Sequence, residues 1–530
     1  MIPMTRNRWF ISFFVLWNLV APGPCVHAAV SQVLHLGNGT EPKDLDPQTV
    51  TGVPETKIIQ SLFEGLVDKD PKSLEPRPGV AESWKVSKDG KVYTFKLRRN
   101  AKWSNGDPVT AADFIFSWKR LLDPKTASEY AYQGYYFRGG KNFNTGKTDG
   151  SQLGIKSTDP YTLEVTLENP TPYFLSLLYH HSLYPVHQQT VEKYQMRWTR
   201  PEHIVSNGAF LLKKWQMNKV IIVERNPTYW DAVNVKLDSV HFHAIEKAET
   251  EEKLFQVKKL HATATVPTEK IASWTQNASG VLKRHPYLGT YYYWINVNRP
   301  PLNKPQVRKA LALAIDREKL VKFVVKGGQA PAESFTPPGT GGFQPQAKLP
   351  RDLSRLNEAQ ALLAQAGFPK GKGFPTIEIL YNTSEGHKKI AEAIQQMWSE
   401  HLGVKASLYN QEWKVFLDTQ HSKNYMISRA GWIADYNDPH TFLELLTTGN
   451  GNNHSGWSNL NYDGVLEQVQ KEISSKKRLE LFQKAEDILL EELPVIPLYI
   501  YTRLYLLSPQ VQGWYDNVED IHPLKWVWIQ

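Results

Sequence analysis

The sequence predicts a large α/β protein, and two observations support this prediction. First, 530 residues with 41% hydrophobic and 22% charged side chains are typical of an ordered globular protein, long enough for about three domains. Second, a helical pattern over residues 388–402 lies between strand-like segments at 376–381 and 404–409. A strand, helix, strand order favours an α/β organisation of the C-terminal half.

The N-terminal segment has the features of a secretory signal peptide. Two arginines precede an apolar run from Trp9 to Ala21, and a small-residue pattern ends at Ala28. The run is too short to span a membrane, so we predict a signal peptide over residues 1–28. Cleavage of this signal peptide would also remove Cys25, the single cysteine of the sequence. A lipoprotein that begins at Cys25 is the alternative, and Pro24 fits poorly before such a cleavage site.

In the N-terminal half, alternating apolar residues predict strands, and wider apolar spacing predicts helices. An apolar pattern through Ile58 and Phe63 predicts one helix. Thr110-Ala-Ala-Asp113 has the spacing of a capping box and predicts the start of a second helix. The predicted strands cover residues 33–36, 91–97, 161–168, 220–224 and 238–245.

In the C-terminal half, helical patterns dominate. They cover 307–326, 357–366 and 388–402, and each ends at a glycine. The Pro- and Gly-rich stretch 330–350 is the best candidate for an internal loop, and a linker is an equal alternative. Residues 488–507 are interrupted by charges and prolines, so we interpret them as a buried helix that turns into a strand.

The common enzyme motifs are absent from this sequence. It has no phosphate-binding loop, no His-Glu-x-x-His, no Gly-x-Ser-x-Gly and no cysteine after residue 25. His241 and His243 would share one face of a strand, but two ligands do not make a metal site, so a structural pair is favoured. The same holds for His180 and His181. We therefore predict no enzyme activity, no metal and no cofactor.

The net charge of +9 is weak evidence for a nucleic-acid partner. The basic residues are interspersed with acids, which is typical of a mixed solvated surface. A more distinctive feature is the stretch from Arg429 to Pro439, which ends a strand-like run and combines a cation, a glycine, aromatics and acids, as a binding loop would.

Eight motifs, in order along the whole chain after the signal peptide, resemble one family. They are similar to motifs of the periplasmic oligopeptide-binding proteins of Gram-negative ABC importers, the bacterial extracellular solute-binding proteins of family 5. The motifs are Gly52-Val-Pro-Glu55, Leu62-Phe-Glu-Gly-Leu66, Gly79-Val-Ala-Glu-Ser-Trp84, Trp103-Ser-Asn-Gly-Asp-Pro-Val-Thr110, Asn207-Gly-Ala-Phe210, Asn226-Pro-Thr-Tyr-Trp230, Tyr381-Asn-Thr-Ser384 and Ala430-Gly-Trp-Ile-Ala-Asp-Tyr-Asn437.

The resemblance implies a two-lobed periplasmic-binding-protein fold of the cluster C type, with an extra domain on the N-terminal lobe. By analogy the first lobe comprises residues 29–63, 187–288 and 502–530. The extra domain covers 64–186, and the second lobe covers 289–501. The lobes would close over the ligand by a hinge.

The resemblance also implies a function. Such a protein would bind short peptides in extended form in the periplasm, pairing main chain with main chain, and deliver them to a membrane ABC permease. It would act as a monomer and bind no nucleic acid. The alternative within the same fold is a different solute: a murein peptide, a dipeptide or haem.

Several residues match family positions that contact the peptide. Asp435 matches the carboxylate that holds the peptide ammonium, where a desolvated cation needs a fixed counter-charge. Arg429, His387, Lys326 and Gln420 match positions near the peptide carboxylate. The positions that offer backbone groups are Gly52, Val53, Gly431 and Ile433. The pocket walls are Tyr130, Tyr292, Trp294, Trp413 and Trp432.

The departures from the family pattern suggest a changed ligand preference. Gln420 replaces a frequent arginine, and Val325 replaces a lysine, with Lys326 one position later. Trp294 and Thr51 replace acidic residues in the pockets. The turn 258–261 (Lys-Lys-Leu-His) replaces an acidic one. We expect weaker recognition of the peptide carboxylate and a less negative cleft, which favours peptides with an acidic side chain or a modified cell-wall peptide.

Overall fold

The computed structural model describes Met1, Pro3, Met4 and residues 31–277, 280–346 and 348–530. The predicted signal peptide, with Cys25, otherwise lies outside these residues. The chain divides into the units Met1–Ser31 and Gln32–Gln530, and all elements below belong to the second unit. Within the described residues, we find no helix with the length and apolar character needed to cross a membrane.

The strands are short except for two. They are β1 (Val33–Gly37), β2 (Val67–Lys69), β3 (Pro76–Pro78), β4 (Ala81–Val86), β5 (Val92–Leu97), β6 (Ile155–Asp159), β7 (Thr162–Thr166), β8 (Phe210–Gln216), β9 (Val220–Arg225), β10 (Ser239–His243), β11 (Leu282–Ile295), β12 (Ala330–Pro331), β13 (Ile377–Asn382), β14 (Ala406–Gln411), β15 (Ile427–Ile433), β16 (Val495–Leu506), β17 (Val511–Gln512) and β18 (Trp528–Ile529).

The α-helices are longest in the C-terminal half. They are α1 (Val53–Leu62), α2 (Ala111–Leu122), α3 (Gly140–Asn144), α4 (Phe174–Leu177), α5 (Gln188–Tyr194), α6 (Ala248–Gln256), α7 (Ile271–Asn277), α8 (Pro305–Leu313), α9 (Arg317–Lys319), α10 (Leu356–Gln365), α11 (Glu385–Leu402), α12 (Trp413–His421), α13 (His440–Leu443), α14 (Leu460–Lys471) and α15 (Ser475–Glu492).

Three sheets contain most of the strands. One has the order β1-β10-β9-β8, with β1 and β10 parallel and the other pairs antiparallel. A second, antiparallel sheet has the order β4-β5-β7-β6. The third has six strands in the order β12-β16-β11-β15-β13-β14 and is mixed, since β13 is parallel to both of its neighbours. The predicted α/β class matches these sheets and their helices.

The strand, helix, strand unit predicted in the C-terminal half is β13-α11-β14. Its two strands pair in parallel, and α11 packs its apolar face, including Ile390, Ile394 and Trp398, into the core. The helix ends at Gly403, whose φ of 68° is left-handed and costs glycine little.

The sheet that contains β1 and β10 buries one face and leaves the other half-buried. Leu34 and Leu36 on β1 are buried, as are Val240 and Phe242 on β10. Alternate residues of a strand point to opposite faces, so the histidines between them lie on the other side. This second face becomes important below.

The structure corrects the helix predicted over 307–326. Helix α8 ends at Leu313, and α9 begins after Asp316, whose side chain caps it by accepting the Lys319 N–H at 2.9 Å. The buried guanidinium of Arg317 donates to carbonyl oxygens at the break, including that of Ala312 at 3.0 Å. The capping aspartate and these bonds stabilise the interruption, and residues 320–325 continue as a π-helix.

The stretch 330–350 begins with β12 and continues as a loop that packs against α15. The backbone N–H groups of Phe335 and Thr336 donate to the buried carboxylate of Glu486, and the Thr336 hydroxyl donates to it at 2.7 Å. Residues 475–506 form α15 and β16, so the predicted change from helix to strand near 488–507 is confirmed.

The two long strands, β11 and β16, pair along most of their length. Their antiparallel register shifts between Pro286 and Thr290, and again between Tyr291 and Tyr292. On its other edge β11 pairs with β15. Strands β11, β15 and β16 form the centre of the six-stranded sheet, and one end of β15 opens onto the cavity described next.

Candidate functional site

A cavity of about 490 Å³ is enclosed by segments that are far apart in the sequence. Its walls include the loop Asn38–Thr40 after β1, the start of α1, the C-terminal part of β15, helix α12 and residues 519–521. Ligand sites in proteins typically have this size and lie between separately folded parts of a chain.

Strand β15 offers an unpaired backbone edge to this cavity. It pairs with β11 from Ile427 to Ile433, but with β13 only at Ile427 and Ser428. In the described part of the chain, no strand pairs with this second edge over residues 429–433. Gly431 and Ile433, both predicted to offer backbone groups, line the cavity here.

Asp435 follows β15 and lies buried in the cavity wall. Its Oδ2 accepts a hydrogen bond from Gln133 Nε2 at 2.9 Å, and its Oδ1 lies 3.4 Å from His180 Nε2. No Lys or Arg nitrogen among the described residues lies within 4.0 Å of this carboxylate. Burial, and then the nearby Glu444, raise the pKa of Asp435 well above its usual range. The carboxylate therefore lacks a strong cationic partner.

Arg429 lies six positions earlier and is a half-buried cation in the same wall. It donates to Tyr501 Oη at 3.0 Å and to Asn382 Oδ1 at 3.3 Å, and its guanidinium lies 4.9 Å from the ring centre of Tyr291. Its Nε–H has no hydrogen-bond partner among the residues that the structure describes. No carboxylate of the described chain lies within 4.0 Å of it, so Arg429 can accept an anion.

Lys57 is a second cavity cation. It projects from α1, and no carboxylate oxygen in the described part of the chain lies within 4.0 Å of Nζ. Burial, and then the nearby Arg503, lower the pKa of Lys57 to about 8. A ligand carboxylate beside it would favour its charged form.

The other predicted carboxylate-binding residues are placed differently. Gln420 lines the cavity, but its Nε2 already donates to Ser428 Oγ and to the Arg429 carbonyl, both at 2.8 Å. His387 lies outside the lining, with its Nδ1 3.2 Å from Tyr291 Oη, and burial and then Arg429 lower its pKa. Lys326 is exposed after the π-helix and does not line the cavity, and Val325 is buried in the core.

The five predicted aromatic residues all line the cavity. Tyr292 and Trp294 stand edge to face with ring centres 5.1 Å apart, and Tyr130 lies 6.2 Å from Trp432. Trp413, near Gly52, donates its Nε1–H to the buried Glu55 at 3.1 Å. Offset and edge-to-face pairs give walls that are rigid and apolar with few polar points.

Gly52 and Val53 lie where α1 begins, and both line the cavity. Gly52 is extended, and a Cβ at this position would collide with the carboxylate of Glu55 and would lie 3.0 Å from the ring of Trp413. A side chain at this position would therefore displace Glu55 or Trp413 from the cavity wall. Thr51 also lines it.

Several residues that line the cavity or lie directly behind its wall were not predicted from the sequence. Gln133 has no local signal, and His180 was interpreted as half of a structural pair. Glu129 lines the cavity between His421 and His454, at 3.4 and 3.3 Å. Burial raises the pKa of Glu129, but the two imidazoles outweigh it and hold this pKa at about 2.

One group of side chains among the described residues could hold a metal ion, and it lies outside the cavity lining. It joins the predicted pair His241 and His243 to His35 from β1. The sequence favours a structural role for the pair, and it gives no indication of the third imidazole.

Residues 75–454 match the family described as bacterial extracellular solute-binding proteins, family 5. The chain is 42% identical to the periplasmic oligopeptide-binding protein OppA of Salmonella typhimurium, over 94% of this chain and 92% of the relative. The structure of Haemophilus influenzae OppA in complex with the peptide RPPGFSPFR superposes with a TM-score of 0.91, at 36% identity, over 94% of this chain and 99% of the other.

Two structures of the Escherichia coli murein tripeptide-binding protein MppA distinguish between conformations. Both are 38% identical to this chain and cover 94% of it, with 99% and 98% of their own chains matched. The TM-score is 0.91 for the first and 0.64 for the unliganded open form. Since the sequence is the same, the difference reflects the arrangement of the parts, and this chain does not have the open arrangement.

These matches confirm the predicted two-lobed α/β fold class. The relatives compared here are named as binding proteins. The family match covers more than half of the chain, and the chain therefore belongs to the bacterial extracellular solute-binding proteins of family 5.

Proposed function

We propose that this protein is a periplasmic receptor that binds short peptides in extended form between two closing lobes and delivers them to an ABC permease. The observation that supports this most directly is Asp435. A buried carboxyl group with neutral hydrogen-bond partners, and with no Lys or Arg nitrogen of the described residues within 4.0 Å, is suited to a cation that arrives with the ligand. A peptide ammonium supplies that charge, and its three N–H groups suit the oxygens of a carboxylate.

The peptide main chain would pair with the free edge of β15. An extended segment added to a sheet edge gains backbone hydrogen bonds that do not depend on its side chains. Gly431 and Ile433 would provide these backbone groups from β15, and Gly52 and Val53 would provide them from the opposite wall. This mode of binding explains how one cavity could accept many sequences.

The far end of the peptide would meet Arg429. Strand β15 ends at Ile433, two positions before Asp435, so the six steps from Arg429 to Asp435 span at most roughly 20 Å. A peptide of about five or six residues is long enough to place its ammonium at Asp435 and its carboxylate at Arg429. Shorter peptides would leave Arg429 to water or to an acidic side chain.

The cavity favours peptides that carry an acidic side chain. Lys57 and Arg429 both lack a carboxylate partner among the described residues, and Thr51 and Trp294 stand where the resemblance places acids. Tyr130, Tyr292, Trp413 and Trp432 would form the apolar parts of the side-chain pockets. Water in such pockets can satisfy differing polar groups at small cost. A murein peptide, which has extra carboxylates, is the second candidate ligand.

The lobes would be divided as the resemblance implies: 29–63, 187–288 and 502–530 in the first, 289–501 in the second, and 64–186 in the extra domain. Two boundaries, at 288 and 501, fall within β11 and β16. The register shift between Pro286 and Thr290 lies at the first of them, which supports a hinge there. The antiparallel sheet from β4 to β7 lies wholly within 64–186.

We also propose that the receptor performs no covalent chemistry on its ligand. The groups around Asp435 are suited to holding a charge, and the peptide would leave unchanged. Turnover of a labelled peptide by the purified protein would contradict this part of the proposal.

The experiment that tests the receptor proposal is native mass spectrometry. The protein is measured as purified, and again after unfolding, removal of small molecules and refolding. A pool of peptides from two to six residues, murein tripeptide, a dipeptide set and haem are then offered in competition. A peptide adduct with one-to-one stoichiometry is expected. Folded protein that takes up only haem, or nothing, would contradict peptide binding while leaving the family assignment intact.

A further inference from the structure

Three histidines meet on the half-buried face of the sheet that contains β1 and β10. His35 comes from β1, and His241 and His243 come from β10. The parallel register sets His35 beside His241, and the two β10 histidines are two positions apart on the same face. None of the three lines the peptide cavity.

The ligand nitrogens of these imidazoles are close enough to share one ion. His35 Nδ1 lies 3.1 Å from His243 Nε2, and the three nitrogens all lie within 4.8 Å of one another. Nitrogens bound to a tetrahedral zinc ion at 2.0–2.1 Å lie about 3.3 Å apart. The nitrogens of His35 and His243 are already about this far apart. A modest rotation of the half-exposed His241 ring would bring the third nitrogen into position.

All three rings are half-buried, so an ion can reach them from solvent. The described residues place no carboxylate within 4.0 Å of the three rings, so no internal anion competes for them.

A fourth histidine, His261, completes the cluster without being a ligand. Its ring stacks on His35 with centres 5.7 Å apart, and its Nδ1 accepts the backbone N–H of His35 at 2.9 Å. A neutral ring that accepts at Nδ1 has its proton on Nε2, so it cannot offer that nitrogen to a metal. His261 instead fixes the backbone from which His35 projects.

We propose that His35, His241 and His243 bind a divalent late first-row transition metal ion, with Zn²⁺ as the representative ion. Three imidazoles suit Zn²⁺, Ni²⁺ or Cu²⁺, whereas Ca²⁺ and Mg²⁺ prefer oxygen ligands. Three protein ligands leave a fourth position for water. Glu224, on the neighbouring strand β9 and on the same face, lies near enough to His241 to offset part of the charge of the ion.

The test uses the full mature protein without a polyhistidine tag, treated with a chelator and dialysed. Isothermal titration is expected to show one Zn²⁺ site per chain and no saturable binding of Ca²⁺ or Mg²⁺. His241→Gln and His243→Gln should each weaken Zn²⁺ binding at least about tenfold. The remote His203→Gln should retain the site. The proposal is overturned if wild-type protein shows no saturable Zn²⁺ site, or if both ligand variants bind as it does.

A second measurement works on the wild-type protein alone, in case a variant fails to fold. Histidines are acylated with diethyl pyrocarbonate with and without Zn²⁺, and the modified sites are read by mass spectrometry. Zn²⁺ should protect His35, His241 and His243 but not His203. Protection confined to other histidines would place the ion elsewhere and overturn the assignment.

Discussion

Gln133 donates its side-chain N–H to Asp435 Oδ2 at 2.9 Å, although the two residues are 302 positions apart. Together with His180, it orients a buried carboxyl group without supplying a positive charge. An oriented carboxyl group with no cation paired to it is the arrangement expected of a site whose counter-ion belongs to the ligand. Two of the predictions below depend on this carboxylate.

Removal of the Asp435 carboxylate should affect only ligands with a free ammonium. We expect Asp435→Ala to weaken binding of a free peptide by about 100- to 1000-fold, since breaking a buried ion pair costs about 3–5 kcal/mol. The N-acetylated peptide should bind both proteins about equally. Titration calorimetry with the two peptides measures this. Asp352→Ala, on an exposed turn outside the cavity, is the matched control; equal losses for the two peptides would contradict the assignment.

Peptide binding should release a proton from Asp435. In the free protein the raised pKa of Asp435 favours the protonated acid, whereas a bound ammonium favours the ionised form. The free state then binds more protons than the complex, so affinity should rise with pH until the peptide amine itself loses its proton, near about pH 8. Calorimetry in two buffers of different ionisation enthalpy measures the proton count. Asp435→Asn should abolish the release, and a wild-type count of zero would exclude this coupling.

Arg429 should distinguish peptides by length. We expect Arg429→Gln to weaken a peptide of five or six residues by about 10- to 100-fold, because a hydrogen bond to a charged group contributes about 1.5–3 kcal/mol. Amidation of the peptide carboxylate should cause a similar loss in the wild type and little further loss in the variant. The affinity of a tripeptide with neutral side chains should change little on Arg429→Gln or on amidation of its carboxylate. Lys326→Gln, outside the cavity, is the control; an equal effect of Arg429→Gln on tripeptides would disprove the length argument.

A side chain at position 431 should weaken peptide binding. A Cβ at this position would collide with the hydroxyl of Tyr501 and lie 3.1 Å from its ring, and this tyrosine accepts a hydrogen bond from Arg429. We expect Gly431→Ala to weaken peptide binding by about tenfold, since overpacking costs about 1–3 kcal/mol. The loss should be smaller in a Tyr501→Phe background, where the colliding oxygen is gone. Strict additivity of the two substitutions would argue against this contact.

The buried Glu486 should make the stability of the protein pH-dependent. Burial raises the pKa of Glu486 from 4.5 to about 7, against the opposing hydrogen bonds from Thr336 and Phe335. Between these values the folded state binds a proton that the unfolded state lacks, so the free energy of unfolding should fall as pH rises from 4.5 to about 7, by at most about 3 kcal/mol.

Urea unfolding across this pH range measures the effect. Glu486→Gln should lose this part of the slope, while Glu400→Gln, on the exposed side of α11, should keep it. If the free energy of unfolding depends on pH in the same way for the wild type and Glu486→Gln, the Glu486 carboxyl does not titrate in the folded protein as proposed.

Much of the fold was predictable because its signals are local. The alternation in β1 and β10, the apolar face of α11 and the capping box at Thr110 each depend on residues a few positions apart. The Asp113 carboxylate accepts the Thr110 N–H at 2.7 Å, as the motif predicts. The break after α8 was missed because Arg317 is held by carbonyls from several distant segments, including Pro497.

The site was predictable only in part. The stretch around Arg429 and Asp435 stood out because it is continuous in sequence. Gln133 and His180 were missed because their role depends on tertiary packing, and the His35 cluster was missed because its third member comes from a strand more than 200 positions away. In the sequence, Lys326 matches a family position near the peptide carboxylate. In the structure, its side chain is exposed and lies outside the cavity lining.

The partly unpaired strand β15 also has a consequence for solubility. A free strand edge is a template on which a second chain can add, and proteins usually block such edges with charges, prolines or covering elements. In the proposed receptor, lobe closure would bring the opposite wall of the cavity over this edge and would protect the protein from self-association. Variants held open without ligand should therefore form oligomers through residues 429–433, and an added peptide should suppress their aggregation by occupying that edge.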